Sequence, residues 1–203
     1  TIGLALGLGA IVGGFGLPLF AFIGGGLSIV LVYGIAASQG QLPMHQLLLA
    51  GVIVNAVCSA LMMFVTSILN PASLYRVVLW LMGTLNAPSI PMLIGIGVCL
   101  LIAIVLFLRE SQALNLLAVG EDAARSLGVE SIRVQRTVFL VSAVLTGAVV
   151  SVSGMIGFVG MVIPHLVRIL CGADHRLLLP VSALGGGILL MVADTVARTV
   201  VAP

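Results

Sequence analysis

The chain has 203 residues, of which 61% are hydrophobic and only 7% are charged, and its formal net charge is +2. A soluble domain normally carries about a quarter charged residues, so this composition excludes a protein whose whole surface faces water. The few charges favour neither nucleic acid nor an acidic partner. The three cysteines lack the CxxC spacing of a zinc site and are not expected to form a disulfide framework.

Six apolar blocks and one shorter apolar segment follow one another along the chain. Runs of about 20 apolar residues are long enough to cross the hydrocarbon core as helices, and these runs lack the alternation typical of outer-membrane strands. We therefore predict an all-α, polytopic transmembrane helical bundle that forms a single domain over residues 1–203. The blocks are 2–13, 17–37, 45–69, 89–108, 133–153 and 177–201, and the shorter segment is 158–171.

The arginines predict how the helices are oriented in the membrane. Six of them flank the stretch 109–136 or the turn 172–176. These two regions fall on the same side only if 133–153 and 158–171 form an out-and-back pair, and Arg76 and Arg198 then fall on the other side. Cytoplasmic loops carry an excess of basic residues, so the stretch 109–136 is predicted to be cytoplasmic.

The sequence GEDAARSLG, residues 120–128, predicts a short capped helix within this cytoplasmic stretch. Glu121 and Asp122 would lie at its positive end and Arg125 near its negative end, where each charge complements the helix dipole. Gly128 would end the helix as a C-terminal cap residue.

A second short helical turn is predicted to start near Glu130, before the chain re-enters the membrane at about Arg136. Two short capped helices between membrane helices would make a rigid projection. Such a projection suits docking to a partner that moves, and an ordinary solvated connector is the alternative interpretation of the stretch 109–136.

No motif for bond chemistry is found. The glycines of GMIGFVGMVIP (154–164) precede no Lys-Ser or Lys-Thr pair, so this run is not a phosphate loop. His45 has no partner at metal-ligand spacing. His165 and His175 flank a turn that contains Asp174, which leaves a cytoplasmic ion site open beside simple hydrogen bonding at a helix boundary. We predict no enzymatic activity and no cofactor or metal bound by this chain.

Several long segments together resemble the permeases of the iron-siderophore, heme and vitamin B12 ABC importer family, the FecCD-like permeases. The resemblance covers essentially the whole chain in order. The segments are LLLAGVIVNAVCSALMM (47–63), LWLMGTL (79–85), LNLLAVGEDAARSLGV (114–129), GFVGMVIPHLVRILCGADHRLLLPVSAL (157–184) and ADTVART (193–199).

This resemblance implies the setting in which the chain would work. Permeases of the family have about ten membrane helices and form homodimers in the bacterial cytoplasmic (inner) membrane. Two cytoplasmic ATPase subunits, which bind ATP and Mg, couple hydrolysis to alternating access, and a periplasmic binding protein delivers an iron chelate, heme or cobalamin. On that mapping this chain would be a fragment truncated at both ends, starting near the third helix and stopping before the last.

The resemblance also implies roles for particular residues. A coupling segment at about 110–136 would contact the ATPase, and Arg198 would dock the binding protein. Arg198 could equally form an ion pair with Asp194, four residues earlier on the same helix face. The residues that match the coupling motif are Gly120, Glu121, Ala124, Arg125, Leu127 and Gly128.

The block 45–69 is the predicted wall of the translocation pathway. Small and weakly polar residues recur there at steps of three or four, which places them along one helix face, and the family's cargo path follows this helix. A helix–helix seam is the alternative. The stripe comprises Gly51, Asn55, Ser59, Met62 and Thr66, and Met44 and His45 align with the family's cytoplasmic gate.

Two other functional classes compete with an importer permease. An ion-coupled secondary transporter normally carries ionisable residues at the membrane midplane, whereas the charges here cluster at the predicted interfaces. A membrane scaffold without a transport role would leave the cytoplasmic projection unexplained. The sequence does not distinguish between siderophore, heme and cobalamin as cargo.

Overall fold

The computed structural model describes residues 16–36, 44–85 and 89–200. Every regular element in these ranges is a helix. Five helices within these described ranges are long and apolar enough to cross a membrane, which confirms the predicted all-α, polytopic class. The elements are α1 (Gly16–Ala36), α2 (Met44–Ser67), α3 (Pro71–Met82), α4 (Ile90–Val119), α5 (Glu121–Ser126), α6 (Ser131–Ser153), α7 (Val159–Cys171) and α8 (His175–Val200).

Most predicted blocks coincide with a helix to within two residues, but the fourth does not. The block 89–108 was expected to end near Arg109, and α4 instead continues to Val119. Its 30 residues extend over about 45 Å at 1.5 Å per residue. About 20 residues are enough to cross the hydrocarbon core, so α4 is longer than one crossing requires. The first predicted block, 2–13, lies outside the described residues.

Two further expectations were wrong. Helix α3 was not predicted, because it is only 12 residues long and Arg76 interrupts its apolar run. Asn70 caps it, since its side chain accepts a hydrogen bond from Ser73 N–H at 2.9 Å. The predicted short turn near Glu130 is not separate: α6 begins at Ser131 and runs without a break to Ser153.

The chain divides into two compact units, each with its own contacts. The first contains α1, α2, α3 and residues 139–155. Helix α1 packs on α2, and Gly25 approaches Gly147 so closely that a Cβ on Gly25 would lie 3.9 Å from the Gly147 Cα. The rings of Tyr33 and Phe139 lie 6.4 Å apart between centroids.

The second unit contains α4, α5, the first turns of α6, α7 and α8. Helices α7 and α8 form an antiparallel hairpin whose small core consists of Ile163, Val167 and Leu178. Gly185 lies under Ile163, because a Cβ at Gly185 would be 3.1 Å from the Ile163 Cγ2. Helix α8 also packs on α4, and α5 packs on α4.

Candidate functional site

The short helix α5 begins at a turn that only glycine adopts readily. Gly120 has φ 150° and ψ 147°, a region closed to residues with a Cβ. Its carbonyl accepts the hydrogen bond of Ala124 N–H at 3.0 Å, which closes the first turn of α5. Glu121 lies in that first turn and pairs with Arg125 in the last, with 2.9 Å between Oε1 and Nη2. The predicted placement of charges at the two ends of this helix is confirmed.

The C-terminal end of α5 is a Schellman motif. Gly128 has φ 83°, and its N–H donates to the Arg125 carbonyl at 3.0 Å, while Val129 N–H donates to the Ala124 carbonyl at 3.0 Å. This pair of bonds satisfies carbonyls that a helix otherwise leaves without partners. The prediction that Gly128 ends the helix is confirmed, and α5 is closed by hydrogen bonds at this end although it is only 6 residues long.

The residues assigned to the coupling segment divide into those that face solvent and those that shape the segment. Leu127 is 66% exposed and the side chains of Arg125 and Glu121 are about half exposed. Ala124 is 0% exposed, so its methyl group packs inside the unit and does not form part of an outer surface. Gly120 and Gly128 act through the backbone conformations that they allow.

The start of α6 completes this region of the second unit. Ser131 and Val134 are buried, and Val134 N–H donates to the Glu130 carbonyl at 3.2 Å. An exposed ion pair joins Glu130 to Arg133 at 4.0 Å. The projection therefore consists of one short helix and the extended end of α4, and not of two short helices as predicted.

Asn115 joins the end of α4 to the first turn of α8. Its amide Nδ2 donates to Asp174 Oδ1 at 2.7 Å. Its Oδ1 accepts from His175 N–H at 2.9 Å and lies 2.7 Å from His175 Nδ1. This arrangement, which we call the Asn115 junction, comprises Asn115, Asp174 and His175. The sequence interpretation missed the role of Asn115, although a lone amide side chain within the apolar run 113–119 was a signal of it.

The Asn115 junction also explains the turn that precedes α8. Asp174 Oδ1 accepts from Arg176 N–H at 3.0 Å, and its carbonyl accepts from Leu178 N–H at 2.8 Å, so Asp174 caps the helix. Hydrogen bonds from the Asn115 amide and the Arg176 N–H lower the pKa of the Asp174 carboxyl below its ordinary value. Hydrogen bonding at a helix boundary, one of the two interpretations of His175, is confirmed.

A shallow open groove of about 390 Å³ lies along this junction in the second unit. Its position brings the C-terminal end of α4 and the N-terminal end of α8 to the same side, in agreement with the arginine-based prediction for 109–136 and 172–176. In residues 16–36, 44–85 and 89–200, no group of three or more His, Cys, Asp or Glu side chains is placed to hold a metal ion. The groove is lined by Gln112, Asn115, Leu116, Asp174 and Arg176.

The predicted pathway residues lie along α2 in the first unit. Asn55 and Ser59 are exposed in the middle of this helix, Gly51 is half-buried one turn earlier, and Met62 and Thr66 are half-buried further along. Thr66 Oγ1 donates to the Met63 carbonyl of its own helix at 2.9 Å. Met44 and His45 begin α2, with His45 exposed.

Arg198 lies near the end of α8 in the second unit. Its Nε donates to Asp194 Oδ2 at 2.8 Å, with 59% of the arginine side chain exposed. The predicted (i, i+4) ion pair is therefore present. More than half of the arginine side chain is exposed, so the ion pair does not prevent contact with another protein.

This geometry defines a class of protein: a multi-pass helical membrane protein with a short, capped helix between two of its long helices. All residues 1–203 match the FecCD transport family, and the chain belongs to that family. The resemblance inferred from the sequence is confirmed. The relatives are transport permeases and not enzymes, as predicted, and the chain is part of a multi-pass protein of the cytoplasmic (inner) membrane.

Individual relatives agree with the family match. The chain is 43% identical over 183 residues to the hemin transport system permease protein HmuU of Yersinia pestis, which covers 90% of this chain and 54% of that protein. It is 41% identical over 186 residues to the cobalamin import system permease protein BtuC of Halobacterium salinarum, covering 88% and 48%. The chain thus spans about half the length of the curated relatives it matches.

A solved structure shares the fold. The chain superimposes with a TM-score of 0.77 on a metal-chelate type ABC transporter in an inward-facing conformation, at 33% sequence identity. The match covers 92% of this chain and 64% of that chain.

Proposed function

We propose that this chain is part of the permease subunit of a binding-protein-dependent ABC importer for an iron chelate, heme or cobalamin. Helix α5 would bind a cytoplasmic ATPase, and closure of the ATPases would bias the permease between inward-open and outward-open states. The observation that carries the proposal is the rigidly capped helix α5, whose charged side chains are exposed between two long apolar helices of a FecCD family member.

The construction of α5 supports a role in transmitting force. Glycine conformations define both of its ends, and buried Ala124 anchors it to the unit. A partner that pushes on Leu127 or Arg125 would therefore move the helix as a body. Only contacts that differ between two states can shift the balance between them, and a rigid projection makes such contacts reproducible.

The two exposed polar residues of the α2 stripe support both a transport path and a homodimer. Asn55 and Ser59 present polar groups in the middle of a helix that is otherwise apolar. Polar side chains in a bilayer normally face a bundle interior or a water-filled cavity. A second permease subunit opposite this stripe would enclose a path along which a bulky cargo moves without a deep binding well. Arg198, on α8, is the proposed contact for the binding protein.

The distribution of charge argues against the alternative of an ion-coupled secondary transporter. Helices α1 and α2 contain no Asp, Glu or Arg, and those of α4, α6 and α8 lie towards helix ends. Within the described ranges, the middle of the spanning helices thus offers no Asp, Glu or Arg for ion coupling at the membrane midplane.

The test is cargo-stimulated ATP hydrolysis in liposomes. The full-length protein would be reconstituted with its ATPase and binding protein and assayed against heme, cobalamin and ferric siderophores. We expect one loaded binding protein to stimulate hydrolysis and uptake together. Gly128→Val should abolish the stimulation, because a β-branched residue strains a φ of 83°. Gly128→Asn is the matched control, since asparagine tolerates this conformation.

Three outcomes decide the proposal. Stimulation that is lost in Gly128→Val and retained in Gly128→Asn supports it. Unchanged stimulation and uptake in Gly128→Val would contradict the assignment of α5 as the coupling element. If no ATPase associates and no cargo stimulates hydrolysis, the importer assignment is wrong and an ion-driven carrier becomes the next hypothesis.

A further inference from the structure

We infer that Asn115 is a positioning residue for energy coupling, which fastens the helix that carries α5 to the first turn of α8. The inference rests on the proposed function, because it concerns how a movement of α5 reaches the membrane-spanning part of the second unit. It starts from the three polar contacts that Asn115 makes across the chain to Asp174 and His175.

The chemistry of these contacts specifies one arrangement. The Asn115 amide donates through Nδ2 and accepts through Oδ1, and Asp174 and His175 offer the complementary groups in adjacent positions. For Oδ1 to accept from the ring as well as from the backbone, His175 must carry a proton on Nδ1. Leucine would fill the same space as Asn115 without any of these bonds.

Hydrogen bonds are needed to fix the position of α4 along α8, because apolar packing does not depend on direction. Helix α4 packs on α8, and both helices consist largely of apolar residues. The free energy of apolar packing depends mainly on the area that is buried. Two apolar helix surfaces can therefore shift along each other at a modest cost. Three polar contacts at one point set the axial register between α4 and α8.

The link lies close to the element that would receive the force. Val119 lies four residues after Asn115 in continuous helix, about 6 Å further along at 1.5 Å per residue, and Gly120 then caps the start of α5. Leu178 lies in the first turn of α8 and packs in the core with Ile163 and Val167 of α7. A displacement of α5 that is passed on at Asn115 thus reaches the start of α8 and, through this core, α7.

The junction is water-exposed on one side, which makes it suited to opening and closing. Asp174 is exposed and His175 is half-buried beside the groove. Hydrogen bonds next to water are exchanged for bonds to water at a small net change in free energy. The register can therefore change when α5 is pushed, and it is re-established when the three contacts form again.

The experiment compares the ratio of cargo imported to ATP hydrolysed in the reconstituted complex. Asn115→Leu should lower this ratio roughly fivefold, the factor that corresponds to one hydrogen bond of ordinary net strength, while the amount of bound ATPase stays unchanged. Asn115→Asp should lower it as well, because two carboxylates would then face each other. The matched control is Ser28→Ala, which removes a side-chain hydrogen bond that lies within α1, and it should leave the ratio unchanged.

A charge swap separates positioning from mere structural support. In Asn115→Asp combined with Asp174→Asn, the amide donor and the carboxylate acceptor exchange places, and the amide introduced at position 174 still offers an oxygen to the Arg176 N–H. We expect the double variant to recover at least half of the wild-type ratio. A residue that only supported folding would lower import and hydrolysis in proportion, and the ratio would not move.

The outcomes for this inference and for the proposed function can be told apart. If Gly128→Val uncouples the complex while Asn115→Leu keeps the wild-type ratio, the role of Asn115 is wrong and the role of α5 stands. If Asn115→Leu lowers import and hydrolysis equally, or the swap recovers nothing, the positioning role is also wrong. A wild-type complex without cargo-stimulated hydrolysis would overturn both.

Discussion

The turn after α6 and the turn before α8 both connect long helices to their neighbours, but they do so by different means. After α6, in the first unit, Ser153 O accepts from Thr84 N–H at 2.8 Å, and Gly154 lies against the carbonyl of Trp80. Before α8, in the second unit, the contacts are the side-chain hydrogen bonds of the Asn115 junction. One connection is made by backbone at close range, and the other by side chains beside water.

This difference indicates which of the two turns allows the helices that it connects to shift relative to each other. A Cβ on Gly154 would collide with the Trp80 carbonyl oxygen and lie 3.0 Å from the Gly83 Cα, so no space is left for adjustment. Packed backbone has few alternative arrangements. Exposed side-chain hydrogen bonds can break and re-form with little change in free energy. The turn after α6 is therefore a rigid point, and the turn before α8 is the place where a change of register is possible.

The largest expected effect is that of Gly154→Ala, which breaks the rigid point. The added methyl group meets backbone atoms at the end of α3, and φ at Gly154 is 72°, so both overpacking and backbone strain oppose it. Together they should destabilise the fold by about 2–4 kcal/mol, measured as a lower midpoint of thermal unfolding in detergent or nanodiscs.

Gly157→Ala is the control for this prediction. A Cβ at Gly157 meets nothing within 4 Å, and its φ is not in the left-handed region. We expect its unfolding midpoint to stay close to that of the unmodified protein. Equal midpoints for Gly154→Ala and Gly157→Ala would show that the close approach to α3 is not a rigid point.

A smaller effect is expected in the second unit, where Gly185→Ala tests whether side-chain packing there is also tight. The Cβ would lie 3.1 Å from the Ile163 Cγ2, which must shift by a few tenths of an ångström. Because alanine favours helix over glycine, overpacking is partly offset and the net destabilisation should be about 1 kcal/mol.

Gly187→Ala, two residues further along α8, should act in the opposite direction. Its Cβ would meet nothing within 4 Å, so only the gain in helix propensity remains, up to about 1 kcal/mol. Thermal unfolding of the two variants should show a lower midpoint for Gly185→Ala and a higher midpoint for Gly187→Ala than for the unmodified protein. If both variants are stabilised, Ile163 gives way easily and the α7–α8 core is loosely packed.

The smallest effect concerns the acid limit of the Asn115 junction, which is the pH below which protonation of Asp174 weakens its hydrogen bonds. Because hydrogen bonding from Asn115 and Arg176 N–H lowers the pKa of Asp174, the folded state favours the carboxylate. Its contribution is complete above the ordinary pKa of 3.8 and is lost as the pH falls through the lower folded-state value. Protection of residues 174–178 against hydrogen exchange, corrected for intrinsic rates, should therefore be lower at about pH 3 than at about pH 5, because Asp174 becomes protonated between them.

The same hydrogen-exchange measurement tests whether Asn115 causes the lowered pKa of Asp174. Asn115→Leu removes the largest contribution to the pKa shift of Asp174, so the acid limit should move up towards the ordinary value of an aspartate. Equal protection of 174–178 at about pH 5 and about pH 3 in the unmodified protein would mean that the Asp174 carboxylate does not stabilise the junction.

The candidate site was predictable where local chemistry decides the structure. Glu121, Arg125 and Gly128 identified α5, because capping and the helix dipole act within a few residues of sequence. The end of α4 was placed too early, since the polar residues after Arg109 resemble a loop in sequence but continue as helix to Val119. Helix α3 was missed because 12 residues with an arginine in the middle resemble a connection.

The sequence alone determined that this protein is helical, that it crosses a membrane several times and which family it belongs to. These properties follow from composition, from the length of apolar runs and from the order of long motifs, all of which can be read locally. Only the tertiary structure decided that Asn115 meets Asp174, that Gly154 lies against Trp80 and that Ala124 is buried. The first two contacts join residues far apart in the sequence. Local sequence preferences do not specify which distant residue forms each contact.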